Sequence, residues 1–404
     1  MRLLAWGMAE RRVAAAGAEF VVAGDAEGYW DLAGDLASGE PYAVYQPPRR
    51  VLRTPGLPLA IAASRGLLGD STTAARGTLA VLASLGPVAV WLLAAELTDR
   101  RTALLAGLIA AVTPLHVAFS PLLLSDALFG VALTLQMLKL ARGWRLAFPY
   151  RLLPIAGAGG MGAVACYLRP AWAPGMAVIC VGWLAGRLMQ SPRSWRRTAI
   201  ELTAFVGTFA VVWAPWVIRN ARVTGSPVLT TLWTGPTLFD SVGPQADGSS
   251  DMTFFDAEAP QRVGWTEAET NAWYLQRSRE AIAADPLRIA RLAVAKQARF
   301  WSPAPSSAEG GPRWLRLPIA AWSLLFFAAS AVGLGRADAR TRWATALPIA
   351  TLAAVHLVFV ASLRYRMPCE LPLCVAAALG AQVLTNALAE RRQASRRRTH
   401  ITLK

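Results

Sequence analysis

TTAARGTLAVLASLGPVAVWLLAAEL, Thr72 to Leu97, is apolar nearly throughout. A helix that crosses a bilayer needs about 20 mainly apolar residues, and this run supplies them. Comparable runs recur near 101–119, 122–141, 152–168, 170–188, 198–218, 314–334, 343–363 and 367–389. Most are apolar all round, as helices facing lipid and one another should be. The composition agrees, with 54% hydrophobic and 16% charged residues, where soluble domains carry about a quarter charged. The expectation is an all-α polytopic membrane protein with about nine transmembrane helices, one for each of these runs.

The formal charge of +16 raises nucleic acid as a partner, but the arginines lie in short clusters between apolar runs. That is how topology signals are distributed, so nucleic acid is set aside. Arg100 and Arg101 fall in one loop, and Arg142, Arg145 and Arg151 in another. Arg187, Arg193, Arg196 and Arg197 form a third cluster, Arg336, Arg340 and Arg342 a fourth, and Arg391, Arg392, Arg396, Arg397 and Arg398 lie in the tail. Every second short loop is basic, so the positive-inside rule puts these loops and the C-terminus in the cytoplasm.

The chain then divides into an outer segment (1–71), a first transmembrane bundle (72–218), an outer, periplasmic loop (219–313), three last spans (314–389) and a basic cytoplasmic tail (390–404). One piece is missing from this topology: MRLLAWGMAERRVAAAGAEF is too short and too polar to deliver the outer segment across a membrane. Charge interrupts it too often for a signal peptide. The pattern implies that the true start lies upstream or that a first helix has been lost, and we favour the former. Cys166, Cys180, Cys369 and Cys374 lie in or beside apolar runs, without disulfide or metal-knuckle spacing. Only three histidines are present, so a histidine-rich metal site is not expected, and no divalent metal is supported by the sequence.

The outer loop 220–312 reads as irregular in its first half and helical in its second. Thr266 and Glu269 form a T-x-x-E capping box, and Asp285 with Pro286 starts another helix. There Leu287, Ala290, Val294, Ala298 and Trp301 recur at helical spacing, which fits a helix lying on a membrane or on the protein's own outer surface.

Candidate chemistry gathers on the outer side. FVVAGDAEGYWDLAGDLASGE, Phe20 to Glu40, carries Asp25, Glu27, Asp31, Asp35 and Glu40. Read as an interfacial helix, it has Asp25 as its cap, Tyr29, Leu32, Ala33 and Leu36 on one face, and Asp31 and Asp35 on a solvated one. Asp25 is a cap or a functional carboxylate. In QPPRRVLRTPGLPLAIAASRGLLG, Gln46 to Gly69, Arg53 stands at the lip of a proline-broken apolar segment that can enter the outer leaflet and return. Arg49 and Arg50 read as lipid-headgroup contacts. Asp126 in SPLLLSDALFG lies at membrane depth, where a carboxylate marks either a site or a satisfied interhelical bond. SLRYRMPCELP puts Arg364, Arg366 and Glu370 at the outer end of the last spans, as a site or as snorkelling anchors. Together Asp25, with Glu27 and Asp126 as possible second acids, and Arg53, Arg364 and Arg366 form one outward-facing constellation. In it carboxylates supply a general base and arginines stabilise a phosphate leaving group.

GDAEGYWDLA, RTPGLP, SPLLLSDALFG, APWVIRN (Ala214 to Asn220) and RYRMP follow in the order seen in GT-C membrane glycosyltransferases. The likeness is greatest to the bacterial group related to aminoarabinose transferase and protein O-mannosyltransferases, and DPLRIARLAVAKQARFWSP is similar to their outer-loop helix. The resemblance runs from Gly24 to about Gly380. It implies a GT-C-like bundle with an outward-facing loop region, in the cytoplasmic (inner) membrane. It further implies an inverting transferase moving a sugar from a polyprenyl-phosphate carrier to a glycan, lipid or protein acceptor outside. Asp25 matches the family's base, Asp126 its second outer acid and Arg53 its donor-phosphate residue, with Arg364 and Arg366 matching less firmly. An adjacent acid pair is not matched, since Ala26 separates Asp25 from Glu27. The rival classes are a lipid or glycan transporter, which predicts repeat halves absent here, and an inactive GT-C-like scaffold.

Overall fold

The computed structural model describes residues 1–22, 24–190, 195–305 and 313–402. Arg193, the 306–312 end of the outer loop and residues 403–404 lie outside the described residues, as do the side chains of Arg187, Arg391, Arg392, Arg396, Arg397 and Arg398.

The chain is helical throughout, and among the described residues its only β feature is an isolated bridge between Val44 and Arg49. The outer segment holds α1 (Arg2–Ala16), α2 (Asp25–Ser38) and α3 (Gly56–Leu68). The first bundle holds α4 (Thr72–Ala83), α5 (Leu85–Leu97), α6 (Arg100–Val112), α7 (Pro114–Phe119), α8 (Asp126–Arg145), α9 (Leu152–Leu168), α10 (Ala173–Gln190) and α11 (Trp195–Thr224). The outer loop contributes α12 (Thr234–Val242), α13 (Thr253–Ala257), α14 (Glu267–Ala284) and α15 (Pro286–Phe300). The chain ends with α16 (Arg316–Arg336), α17 (Ala339–Val358) and α18 (Leu363–Thr402).

The boundaries have local causes. The Ser71 side chain accepts from Ala74 N, Asp99 from Arg101 N and Thr102 N, and Asp338 from Thr341 N, which satisfies free first-turn donors. The expected run 101–119 breaks at Thr113, because Pro114 has no N–H to continue α6. Four segments among the described residues are long and apolar enough to cross a membrane: Thr72–Leu97, Trp195–Thr224, Arg316–Arg336 and Leu363–Glu390. The protein is an integral membrane protein.

The first half of α18 is the hub, packed on by α16, α17, α8, α6 and α5. Its Cys369, Leu371, Cys374, Val375, Ala376 and Ala378 are buried. Lipid is as apolar as leucine, so such helices associate through close van der Waals packing, which small residues permit. On the other flank α9 lies between α8 and α11.

Two expectations are corrected and one is narrowed. The first half of the outer loop is not all irregular, since it forms α12 and α13. Phe239 and Phe255 from these helices pack on Tyr274 of α14, a tertiary cluster that local composition does not show. In α15 Leu292, Lys296 and Phe300 are buried, whereas Leu287, Ala290, Val294, Ala298 and Trp301 of the expected stripe are exposed, so of the two expected settings the stripe does not pack on the protein's own surface. Finally, Asp25 is the first residue of α2, with Gly24 at the cap, and makes no capping bond.

Candidate active site

α2 delivers Asp25 to the end of the bundle where α8 and α18 begin. Its Oδ1 accepts from Arg53 Nη2 at 2.9 Å and its Oδ2 from Arg364 Nη1 at 2.9 Å. Arg53 also donates from Nη1 to the Asp25 carbonyl at 2.7 Å, and its guanidinium lies 4.3 Å above the Tyr29 ring. Arg364, at the start of α18, donates from Nε to Asp126 Oδ2 at 2.9 Å, so one guanidinium spans two acids. Asp126 Oδ1 is 3.0 Å from Arg169 Nη2. The result is one chain of charge: Arg53, Asp25, Arg364, Asp126, Arg169.

The energetics follow from burial. The Asp126 side chain is 0% exposed and Arg169 16%; a buried carboxylate persists only when paired. The Asp25 side chain keeps 44% exposure. Burial alone pushes its carboxyl up, but Arg364 and then Arg53 outweigh this and hold it below the usual aspartate range. Three guanidiniums against two carboxylates leave one positive charge in excess.

A cavity of about 470 Å³ opens beside this chain, with Tyr29, Arg53, Arg169, Trp233, His356 and Tyr365 among its walls. The Arg169 guanidinium lies 4.8 Å over the Tyr365 ring, which stacks on His356 at 4.7 Å. His356 Nδ1 is 2.6 Å from the Val360 carbonyl. Thr230, Thr231, Thr234 and Thr237 of the outer loop face the same space. Further out, Arg219 of the APWVIRN stretch donates to the Tyr42 carbonyl at 2.9 Å, and the Tyr42 hydroxyl donates to the Arg53 carbonyl at 3.1 Å. That stretch therefore braces Arg53 from behind. Among the described residues no three His, Cys, Asp or Glu side chains converge to hold a metal ion.

Of the expected residues, Asp25, Arg53, Asp126 and Arg364 come together, whereas Glu27 and Arg366 do not. Residues two apart on a helix point about 200° apart. Glu27 on α2 is therefore turned away from Asp25 and exposed. Arg366 is turned away from Arg364, fully buried, and donates to Glu370 at 2.9 Å and to the Phe300 and Ser302 carbonyls at 2.8 and 2.9 Å. It ties α18 to the end of α15. Arg169 is the cluster member that the sequence did not single out. Its signal was present, since a lone arginine in a short turn expected to face outward, Arg169–Pro170, runs against the positive-inside rule.

With this geometry in hand, comparison with known proteins is informative. Residues 52–218 match the family described as dolichyl-phosphate-mannose-protein mannosyltransferase. No curated protein matches the chain. Among solved structures, the apo oligosaccharyltransferase of Archaeoglobus fulgidus aligns at TM-score 0.55 and 14% identity, over 92% of this chain and 48% of that one. Oligosaccharyltransferase AglB of the same organism, in complex with an inhibitory peptide and a dolichol-phosphate, aligns at 0.50 and 13%, over 92% and 47%. ArnT from Cupriavidus metallidurans bound to undecaprenyl phosphate aligns at 0.47 and 14%, over 95% and 76%. The chain spans about half the length of the oligosaccharyltransferases it matches. Its fold is that of the GT-C class, as the motifs implied.

Proposed function

We propose that this GT-C-fold chain is an inverting glycosyltransferase that moves a sugar from a polyprenyl phosphate to a cell-envelope acceptor at the outer face of the cytoplasmic membrane. The observation that carries the reading is the five-residue charge chain, cationic in sum, beside a cavity of about 470 Å³. A polyprenyl phosphosugar is a phosphodiester with one negative charge, and the departing polyprenyl phosphate gains a second. A cationic site therefore stabilises the leaving group as its charge develops, beyond what it gives the bound donor. Arg53 and Arg169 on the cavity wall, with Arg364 behind them, are the donor-phosphate residues of this reading.

Asp25 is the base. In the resting site Arg53 and Arg364 keep it ionised but weakly basic. An entering phosphate competes for the same guanidiniums and frees a carboxylate oxygen. The acceptor hydroxyl gives its proton to that oxygen while its own oxygen bonds to the anomeric carbon. The bond from that carbon to the phosphate oxygen breaks with its electron pair, and the configuration inverts. Asp126 holds Arg169 and Arg364 in place. Two names support the reading: the family matched over 52–218 uses a dolichyl-phosphate sugar, and the AglB structure holds a dolichol-phosphate and a peptide.

The test is release of polyprenyl phosphate from a panel of polyprenyl-phosphoryl sugars, with purified protein and envelope extract as acceptor. Release by the wild type and not by Asp25→Asn is expected. Equal release by both removes Asp25 as base, and no release from any donor refutes glycosyl transfer.

A further inference from the structure

A second cavity, of about 370 Å³, lies at the opposite end of the bundle. α8 measures the separation: Asp126 begins it at the charge chain, and Trp144 near its far end lines this cavity. At 1.5 Å rise per residue they stand about 27 Å apart. The walls come from α8 (Leu140, Trp144), α10 (Ile179, Trp183) and α17 (Trp343, Leu347). The space exists because α10 presents Gly182 and Gly186 here. The Trp343 ring occupies the place of a Gly182 side chain, and a side chain at Gly186 would meet nothing within 4 Å.

Two arginines border the cavity. Arg151 is committed, donating to the Gly143 carbonyl at 3.0 Å and lying 3.3 Å from Glu201 Oε1. Arg340 is exposed; the neighbouring acid, Asp338, feels its charge but spends its side chain capping α17 through Thr341 N. Indoles at the ends of membrane helices belong at headgroup depth, and an exposed guanidinium there has donors to offer an anion. Arg336 and Arg342 lie at this same end, and Arg142 and Arg145 share a single carboxylate, Glu96, so the charge here stays positive in sum and favours an anionic headgroup over a zwitterionic one.

We propose that this cavity binds one anionic phospholipid, with its phosphate on Arg340 and the upper part of an acyl chain against Trp144, Trp183 and Trp343. The site is independent of the transfer reaction proposed above. A polyprenyl phosphate shares the chemistry of one phosphate on a hydrocarbon chain, so the test includes it.

The full-length protein in detergent is titrated with phosphatidylglycerol, phosphatidylcholine of matched chains, or undecaprenyl phosphate, and retained lipid is counted by native mass spectrometry. The wild type should hold one phosphatidylglycerol under activation that strips phosphatidylcholine. Arg340→Ala should weaken this roughly fivefold. Gly186→Leu, which fills the space and keeps the charge, should weaken it as well. Arg291→Ala, an exposed arginine of the outer loop, should leave it unchanged. Equal retention in all four proteins overturns the proposal, as does equal retention of phosphatidylcholine. Displacement by undecaprenyl phosphate at lower concentration overturns it too, by assigning the site to the carrier.

Discussion

Asp25 Oδ2 and Arg364 Nη1 meet at 2.9 Å across 339 residues of sequence, joining the start of α2 to the start of α18. The same guanidinium reaches Asp126 through Nε, so its flat fork holds two carboxylates at once. A site built this way is complete only when α2, α8 and α18 are all docked.

An ammonium cannot span two acids as a planar fork does. Arg364→Lys should therefore leave one carboxylate oxygen, on Asp25 or Asp126, without its charged donor and slow release of polyprenyl phosphate by about tenfold or more, the cost of one charge-assisted hydrogen bond. Initial rates at saturating donor check this. A lysine variant with wild-type rates would show that the spanning geometry plays no part in transfer.

Arg169 and Asp126 should behave as a buried pair. Arg169→Gln removes a partner from a carboxylate with no exposure, and breaking such a pair costs about 3 kcal/mol. Adding Asp126→Asn removes a charge then held by Arg364 alone and should recover much of the loss. Denaturation in detergent of the two single variants and the double variant measures the coupling. Strictly additive losses would mean that the two side chains do not depend on each other.

The sequence made the helices legible and their faces less so. The run 152–168 coincides with α9, and both the Thr266–Glu269 box and the Asp285 cap stand where expected, because these signals are local. The charge chain is not local: its bonds cross separations of 28, 238 and 339 residues. Patterning placed these charges at one end of the spans without saying which would touch. Helical phase then decided against Glu27 and Arg366, and that phase is fixed only once α2 and α18 have definite starts. In α15 the apolar stripe is exposed and the opposite face is the one that packs on the protein. That buried face includes Lys296, which no apolar count would choose.

Gly56 should prove less replaceable than Gly28. A Cβ at Gly56 would lie 2.5 Å from the Tyr167 carbonyl oxygen and 2.6 Å from its carbon, both backbone atoms that cannot turn aside. Gly56→Ala must push α3 away from the end of α9, disturbing Arg53 and Arg169 together, at about 1–3 kcal/mol. At Gly28 the nearest atom is the Tyr45 hydroxyl at 2.9 Å, the far end of a side chain that can swing away. Melting temperatures of the two alanine variants test the order, and a Gly28→Ala loss equal to or above that of Gly56→Ala would refute it.

Lys296 should give the outer loop's docking a basic pH dependence. Its Nζ donates at 2.7 Å to the Val358 carbonyl at the end of α17, and its side chain is fully buried. Burial first, and then Arg288, push its pKa down from 10.5 to about 8, against a small opposing pull from Asp240. Between those two values the unfolded chain holds the proton and the folded one does not, so stability rises with pH across that window. Below pH 8 both states are protonated, and the cost of burying the cation is present in full. Melting curves of the wild type and Lys296→Met from pH 7 to 10 separate this from general alkaline effects. The wild type should gain on the variant as pH rises through the window. A difference that stays flat would mean that Lys296 keeps its ordinary pKa in the folded protein.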